Sequence, residues 1–266
     1  MTMPNDPTSY PAVNAVLRLL LQEVRGILGP EFVGIYCYGS LSLGDFEPGS
    51  SDIDFLVVTE HEPLESMLHA LEAMHARIAA SGLLWAEKLE GSYIPRAALR
   101  HYDPANNRHP TIGMDWPFSI RAHGGHWVIE RSIVREYGMV VQGPPPKTLI
   151  DPVSPDELRA AVRQALDDYW RMPLDGPEPA WLRTRDYQAY AILTMCRALY
   201  TLAYGTVVSK PAAALWARQT LPPPWPDLIA QALVWRHDTR PDDMTEMLAF
   251  IRYTIARTES GSNEQR

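Results

Sequence analysis

The chain has few features of a secreted protein. Of its 266 residues only two are cysteines, Cys37 and Cys196, and they form no Cys-x-x-Cys pair. Both lie in apolar segments, which predicts reduced thiols in the core and favours the cytoplasm as the location. The N-terminal segment Met1–Tyr10 is polar and lacks the apolar stretch that a signal peptide requires.

Charge and hydropathy narrow the range of partners. Because Arg or Gln interrupts the longest apolar clusters, we expect no transmembrane helix and no membrane partner. The net charge of −8 argues against a nucleic-acid partner, which usually meets a basic face. An acidic cleft would instead concentrate a cationic substrate. The hydrophobic content of 46% predicts a sizeable core, and we expect a monomer.

The most informative motif is Gly39-Ser40, followed after eleven residues by Asp52-Ile53-Asp54. Apolar runs flank the motif on both sides. A Gly-Ser turn after a buried strand can hold a triphosphate through backbone N–H groups and the Ser hydroxyl. Aspartates two apart on a strand point to the same face, and paired carboxylates suit Mg2+ that also binds phosphate oxygens. The motif therefore predicts metal-assisted attack on a nucleoside triphosphate.

These residues resemble the signature of the polymerase-beta-like nucleotidyltransferase superfamily. A second, narrower pattern runs from Leu193-Thr194 through Arg197 to Lys210, and it resembles the helical domain of streptomycin/spectinomycin-type aminoglycoside adenylyltransferases. The stretch 143–152 resembles the connection between their two domains. The resemblance implies an α/β (α+β) nucleotidyltransferase domain with a mixed sheet at 1–150. It also implies an all-α bundle at 151–266 that completes the ATP and acceptor sites.

Apolar periodicity agrees with this division. In the first 150 residues it predicts helices at 11–28, 63–80 and 129–137, strands at 32–38, 53–59 and 139–142, and a further strand within 83–94 that is centred near 89–93. The stretch 95–118 is rich in Pro, Asn, His and Arg and is expected to be an excursion. After residue 155 no strand is predicted. Ser154 is a candidate helix cap, and helices are expected at 155–170, 186–203, 211–219, 226–237 and 241–257.

The superfamily usually carries a third carboxylate on a neighbouring strand, and two residues compete for that place. Glu90 is favoured over Glu87, because Glu90 followed by Gly, Ser, Tyr and Ile matches the family's strand better. The resemblance implies that Glu90 is the general base for the acceptor hydroxyl. In polymerase relatives the third carboxylate binds metal instead, so Glu90 belongs to both the catalytic and the metal-binding candidates, with Asp52 and Asp54.

Further site residues follow from the resemblance alone. Gly39, Ser40 and Lys210 are the implied ATP-binding residues, with Lys210 reaching the β- and γ-phosphates. The implied acceptor pocket contains Trp116, Trp170 and Asp186. The family's acidic residue aligns with Tyr187, one position after Asp186, so the identity of the acceptor stays open.

The implied activity is the Mg2+-dependent transfer of AMP from ATP to a hydroxyl of a cationic aminoglycoside or aminocyclitol antibiotic, with release of pyrophosphate. Two alternatives remain. One is a nucleotidyltransferase that acts on a protein or RNA acceptor. The other is a nucleotide-binding regulator without catalysis, against which the intact carboxylates of Asp52, Asp54 and Glu90 argue.

Overall fold

The computed structural model of the protein describes residues 6–48, 51–114, 116–176 and 179–260. Contacts between Cα atoms divide the chain into two compact units, Met1–Pro152 and Val153–Arg266. The first unit contains a six-stranded sheet with helices, and the described part of the second unit is built from helices. This confirms the predicted combination of a mixed α/β domain and a helical domain.

The first unit begins with the predicted helix α1, which Gly29 ends with a left-handed φ of 53°. The elements are α1 (Pro11–Leu28), β1 (Phe32–Cys37), α2 (Gly39–Ser42), β2 (Ile53–Thr59), α3 (Glu65–Ala79), β3 (Leu89–Pro95), α4 (Arg96–Leu99), β4 (Arg108–Gly113), β5 (Trp116–Ala122), α5 (Trp127–Tyr137) and β6 (Met139–Gln142). The bounds of α1 and β2 are those predicted from apolar periodicity.

The six strands form one mixed sheet in the order β5-β4-β3-β2-β1-β6. Only β2 and β3 run parallel, and the other neighbours are antiparallel. A parallel pair needs a crossover connection, which α3 supplies between β2 and β3.

One face of the sheet packs against α1 and α3. Its buried side chains include Leu17, Leu20, Val24, Leu71, Met74, Ile35, Cys37, Ile53, Phe55 and Tyr93. Because successive strand residues point to opposite faces, Asp54 lies on the face opposite this core, and so does Glu90, which precedes the core position of Gly91. Burial of the alternate residues therefore sets the direction of the carboxylates.

The prediction of an excursion at 95–118 was wrong in one respect. This stretch contains β4 and the start of β5, which pair as an antiparallel hairpin at one edge of the sheet. Apolar periodicity missed the hairpin because β5 alternates weakly and is largely exposed. Pro110 and Pro117 also lie within these strands, and proline usually argues against a strand.

The second unit contains α6 (Pro155–Ala165), a π-helical turn (Leu166–Trp170), α7 (Met172–Asp175), α8 (Arg185–Tyr204), α9 (Lys210–Thr220), α10 (Trp225–Trp235) and α11 (Thr245–Ser260). Ser154 caps α6 as predicted, in a reciprocal capping box with Glu157. The last helix begins at Thr245 rather than at 241. The carboxylate of Asp243 accepts the Thr245 N–H at 2.6 Å, and this hydrogen bond satisfies a backbone donor at the start of the helix.

Helix α8 is the centre of the second unit. It contacts α6, α9, α10 and α11, and Gly205 ends it in a left-handed conformation. Cys196 is buried in α8 and Cys37 is buried in β1, and both are free thiols, as predicted. None of the described helices is both long and apolar enough to cross a membrane.

Candidate functional site

A tight glycine turn directly follows β1. Gly39 has a φ of 60°, a conformation that favours glycine. A Cβ atom at this position would overlap Oδ2 of Asp54 and would lie 2.6 Å from its Cγ. The backbone N–H of Tyr38 donates to the carbonyl of Asp54 at 3.1 Å, which holds the turn beside β2. The turn therefore needs glycine both for its conformation and for its contact with a carboxylate.

Ser40 presents a buried hydroxyl beside this turn. Within the described part of the chain, its Oγ atom has no hydrogen-bond partner. Leaving a buried polar group without a partner costs about 1–3 kcal/mol. A hydroxyl that folding leaves unsatisfied is suited to a hydrogen bond with a bound ligand, and a phosphate oxygen would accept it.

Asp54 and Glu90 are directly paired across the parallel strands β2 and β3. Neighbouring strands lie about 4.8 Å apart, and registered side chains share a face, so the two carboxylates are adjacent. Asp52 lies two residues earlier, just before β2 begins. Glu87, in contrast, is exposed in the 3-10 turn before β3. The structure thus places Glu90, and not Glu87, beside Asp54.

The pKa of Tyr38 shows that several carboxylates lie near the Gly39 turn. Burial raises the pKa of its hydroxyl well above the usual value, and nearby charges raise that pKa further. In order of decreasing effect, the charges belong to Glu130, Asp54, Glu90 and Asp52. Glu130 lies on α5 and was not a candidate from the sequence, because only the docking of α5 brings it to the turn.

The donors at this place suit a hard divalent cation. Among the described residues, no three His, Cys, Asp or Glu side chains form a ready metal-binding group. Mg2+ is commonly held by one or two carboxylates and completes its shell with water and phosphate oxygens. Asp52 and Asp54, whose charges both act on Tyr38 just before the glycine turn, fit this mode of binding, in which the metal arrives with a phosphate ligand.

Lys210 lies in the second unit, at the first position of α9. Its helix is capped by Ser209, whose hydroxyl accepts the Ala212 N–H at 3.4 Å. The Lys210 ammonium lies 4.3 Å from the centroid of the Tyr190 ring. The N-terminus of a helix carries partial positive charge, so a lysine there adds to an attraction for anions.

Two of the predicted acceptor residues, Trp170 and Asp186, lie in the second unit. Trp170 is only 5% exposed, and its ring lies 6.3 Å from Trp181 and 6.0 Å from Tyr190. Asp186 lies in the first turn of α8, where its carboxylate accepts the Tyr187 N–H at 2.9 Å and the hydroxyl of Thr184. These hydrogen bonds give Asp186 a structural role at the start of α8.

Trp116, the third predicted acceptor residue, lies on the edge strand β5 of the first unit. The guanidinium of Arg121 lies over its ring, with Cζ 4.6 Å from the centroid. The ring packs closely on the backbone of Gly113, where a Cβ would lie 2.8 Å from the indole Nε1. This Nε1 is buried and has no acceptor among the described residues. The guanidinium of Arg121 therefore already covers one face of the Trp116 ring.

The chain matches two family models, one in its N-terminal part and one in its C-terminal part. Residues 17–92 match the nucleotidyltransferase domain, which includes the Gly39 turn and the paired carboxylates. Residues 148–257 match the C-terminal domain of aminoglycoside adenylyltransferases, which includes Lys210 and Trp170. The chain thus combines a match to a nucleotidyltransferase domain with a match to the C-terminal domain of aminoglycoside adenylyltransferases. Trp116 and Glu130 lie between the two matched segments.

Individual aminoglycoside and spectinomycin adenylyltransferases are similar to most of the chain. An aminoglycoside (3'') (9) adenylyltransferase of Klebsiella pneumoniae is 24% identical over 92% of this chain and 97% of its own length. A spectinomycin 9-adenylyltransferase of Campylobacter jejuni is 23% identical over 77% of this chain and 78% of its own. The crystal structure of spectinomycin adenyltransferase from Enterococcus faecialis with ATP and spectinomycin has the same fold. Its TM-score is 0.71 at 15% identity, covering 92% of this chain and 98% of that one.

Proposed function

We propose that the protein transfers AMP from ATP to a hydroxyl of an aminoglycoside or aminocyclitol of the streptomycin or spectinomycin type. The observation that carries this proposal is the pairing of Asp54 with Glu90 beside the Gly39 turn, in a chain with both domains of the adenylyltransferase family. The turn, the carboxylates and the lysine are the groups that such a transfer requires.

In the proposed reaction Glu90 acts as the general base. The acceptor oxygen attacks the α-phosphorus of ATP in line with the leaving group, and its proton passes to the Glu90 carboxylate. The bond between the α-phosphorus and the oxygen bridging to the β-phosphate breaks, and pyrophosphate leaves with that electron pair. Mg2+, held by Asp52 and Asp54 and, in the polymerase-like arrangement, also by Glu90, would offset the charge of the reacting phosphate oxygens.

The remaining phosphate contacts come from neutral and cationic groups. Gly39 allows the backbone to approach the triphosphate, and the Ser40 hydroxyl, unsatisfied among the described residues, would donate to a phosphate oxygen. Lys210 is proposed to bind the β- and γ-phosphates as a point charge and to stabilise the departing pyrophosphate.

The acceptor class follows from charge and from the relatives. Streptomycin- and spectinomycin-type compounds are cationic, and the chain carries a net charge of −8, which would attract them. Trp116 and Trp170 are proposed to pack against the acceptor. Asp186 is proposed to bind one of the acceptor's cationic groups through Oδ2, since its hydrogen bonds to Thr184 and Tyr187 use Oδ1. Relatives named for adenylylation of aminoglycosides and of spectinomycin support this class.

The decisive experiment is a pyrophosphate-release assay with a panel of antibiotics. The purified chain receives Mg-ATP and one drug at a time, and mass spectrometry detects the gain of one AMP group on the drug. An Asp54→Asn variant is the matched control, because it keeps the shape of the side chain and removes the charge. Drug-dependent pyrophosphate release that this variant loses supports the proposal.

Other outcomes of this assay would favour a different function. Binding of Mg-ATP without turnover on any drug would shift the proposal to a protein or RNA acceptor, which labelling of a cell lysate with α-labelled ATP would then reveal. Absence of Mg-ATP binding would contradict the proposal itself.

A further inference from the structure

The face of the Tyr190 ring carries the ammonium of Lys210. The Nζ atom lies 4.3 Å from the ring centroid, well inside the distance of about 6 Å at which a cation and an aromatic face attract each other. Tyr190 lies on α8 and Lys210 on α9, and these two helices pack together. The contact is therefore tertiary, and the packing of the two helices maintains it.

The place of Lys210 in α9 is unfavourable for a lysine by itself. As the first helical residue it lies at the positive end of the helix dipole, where acidic residues are preferred. The electron-rich face of Tyr190 offsets this repulsion and holds the ammonium in one direction. The ring limits the rotamers of the long lysine side chain, and ordering fewer rotamers costs less free energy when an anion binds.

Tyr190 also contacts the aromatic side of the unit. Its ring lies 6.0 Å from that of Trp170, a proposed acceptor residue, and Trp170 contacts Trp181 at 6.3 Å. Trp181 in turn contacts Tyr187 at 5.6 Å. Tyr190 therefore contacts both Lys210, the proposed phosphate-binding residue, and Trp170, a proposed acceptor-binding residue.

We propose that Tyr190 is a positioning residue that holds the Lys210 ammonium ready for the triphosphate and joins it to the acceptor-side tryptophan. This inference rests on the proposed function of the site. The ring, and not the hydroxyl, carries the effect. Tyr190→Phe therefore keeps the function, whereas Tyr190→Leu loses it.

The chain allows a direct spectroscopic test because it has only three lysines, Lys88, Lys147 and Lys210. Reductive 13C-methylation keeps the charge of a lysine and introduces one NMR signal for each. The Lys210 signal, assigned with a Lys210→Arg variant, should be shifted upfield by the ring current of Tyr190. Tyr190→Phe should retain this shift and Tyr190→Leu should lose it, while the other two signals stay unchanged.

Calorimetry on the full unmethylated chain then measures the dissociation constant of Mg-ATP. We expect about fivefold weaker binding for Tyr190→Leu and less than twofold change for Tyr190→Phe, from the usual strength of a cation–π contact. Tyr137→Leu is the matched control, because Tyr137 is an exposed tyrosine in the first unit, at the end of α5. It should bind Mg-ATP as the wild type does.

The outcomes separate this inference from the proposed function. Unchanged Mg-ATP affinity in Tyr190→Leu, with normal AMP transfer by the wild type, would overturn the inference alone. A loss in Tyr190→Phe equal to that in Tyr190→Leu would assign the effect to the hydroxyl and overturn it as well. A wild type that shows the upfield signal but binds no Mg-ATP would overturn the proposed function and, with it, the role of Tyr190.

Discussion

The backbone of Gly39 lies directly against the carboxylate of Asp54, so that no side chain fits between them. The contact joins the turn proposed to hold the phosphates to the carboxylate proposed to hold the metal. The Tyr38 N–H, one residue earlier, is bonded to the Asp54 carbonyl at 3.1 Å. The turn and the carboxylate are therefore one structural unit, and a change in either displaces the other.

Gly39→Ala is expected to lower kcat/KM for ATP by about 10²-fold, the scale of loss that small misplacements of reacting groups cause. The added methyl group would push the Asp54 carboxylate out of its place. The substitution also forces alanine into a left-handed conformation, which costs about 1–2 kcal/mol of folding stability. The assay is steady-state kinetics together with denaturant unfolding.

Gly44→Ala separates these two effects. Gly44 has a similar φ of 72°, but a Cβ there would meet nothing within 4 Å. It should lose only the stability that the left-handed conformation costs, without the overlap with Asp54, and keep most of its activity. Equal losses of activity in the two variants would show that backbone strain, and not the contact with Asp54, is responsible.

Glu90→Gln is expected to lower kcat by about 10²–10⁴-fold, the usual contribution of a general base, with little change in Mg-ATP affinity. The matched control is Glu87→Gln, which removes an exposed carboxylate from the neighbouring 3-10 turn. This control should be fully active. If Mg-ATP affinity falls together with kcat in Glu90→Gln, the metal-binding role of Glu90 is favoured over the role of base.

Arg121→Ala is expected to lower KM for a cationic acceptor by roughly fivefold, the scale of a cation–π contact. Arg121 occupies a face of the Trp116 ring, so it competes with any cation that packs there. Arg108→Ala, an exposed arginine on the paired strand β4, removes the same charge without uncovering the ring. If both variants change KM equally, general electrostatic attraction explains the result and Trp116 is not the acceptor platform.

Acid should destabilise the first unit through His75. Burial lowers its pKa from 6.5 to about 4. The ring packs against Phe55 and Phe118, and its Nε2 forms a hydrogen bond with the Tyr93 hydroxyl at 2.8 Å. As pH falls from about 6.5 to 4, the unfolded chain binds a proton that the folded chain does not. Stability is therefore present above this range and falls within it, by up to about 1.4 kcal/mol per pH unit for this one group.

His75→Gln should make this acid slope shallower by about one proton, although the variant is less stable at neutral pH. His69→Gln, an exposed change on the same helix, should leave the slope as it is. The measurement is the denaturant midpoint and slope between pH 4 and pH 7. The slope will not vanish in His75→Gln, since burial also lowers the pKa of His109 to about 4. An unchanged slope in His75→Gln would show that His75 is protonated in the folded chain.

The elements that were predicted well are those with strong local patterns. The apolar stripe of α1 and the glycine after it set both ends of that helix, and Ser154 with Glu157 set the start of α6. The edge hairpin of β4 and β5 was missed. Strand β4 is held by pairing with β3, and β5, which is largely exposed, is held by pairing with β4. An exposed edge strand leaves little periodic signal.

The sequence by itself determined where the chemistry-bearing residues lie along the chain and that a mixed α/β domain precedes a helical one. Motif spacing and apolar periodicity act over a few residues and need no knowledge of the fold. Only the tertiary structure decided that Glu90 pairs with Asp54, that Glu130 approaches Tyr38 and that Lys210 rests on Tyr190. Each of these contacts joins separate elements, and strand register and helix packing, which depend on the whole core, determine which residues meet.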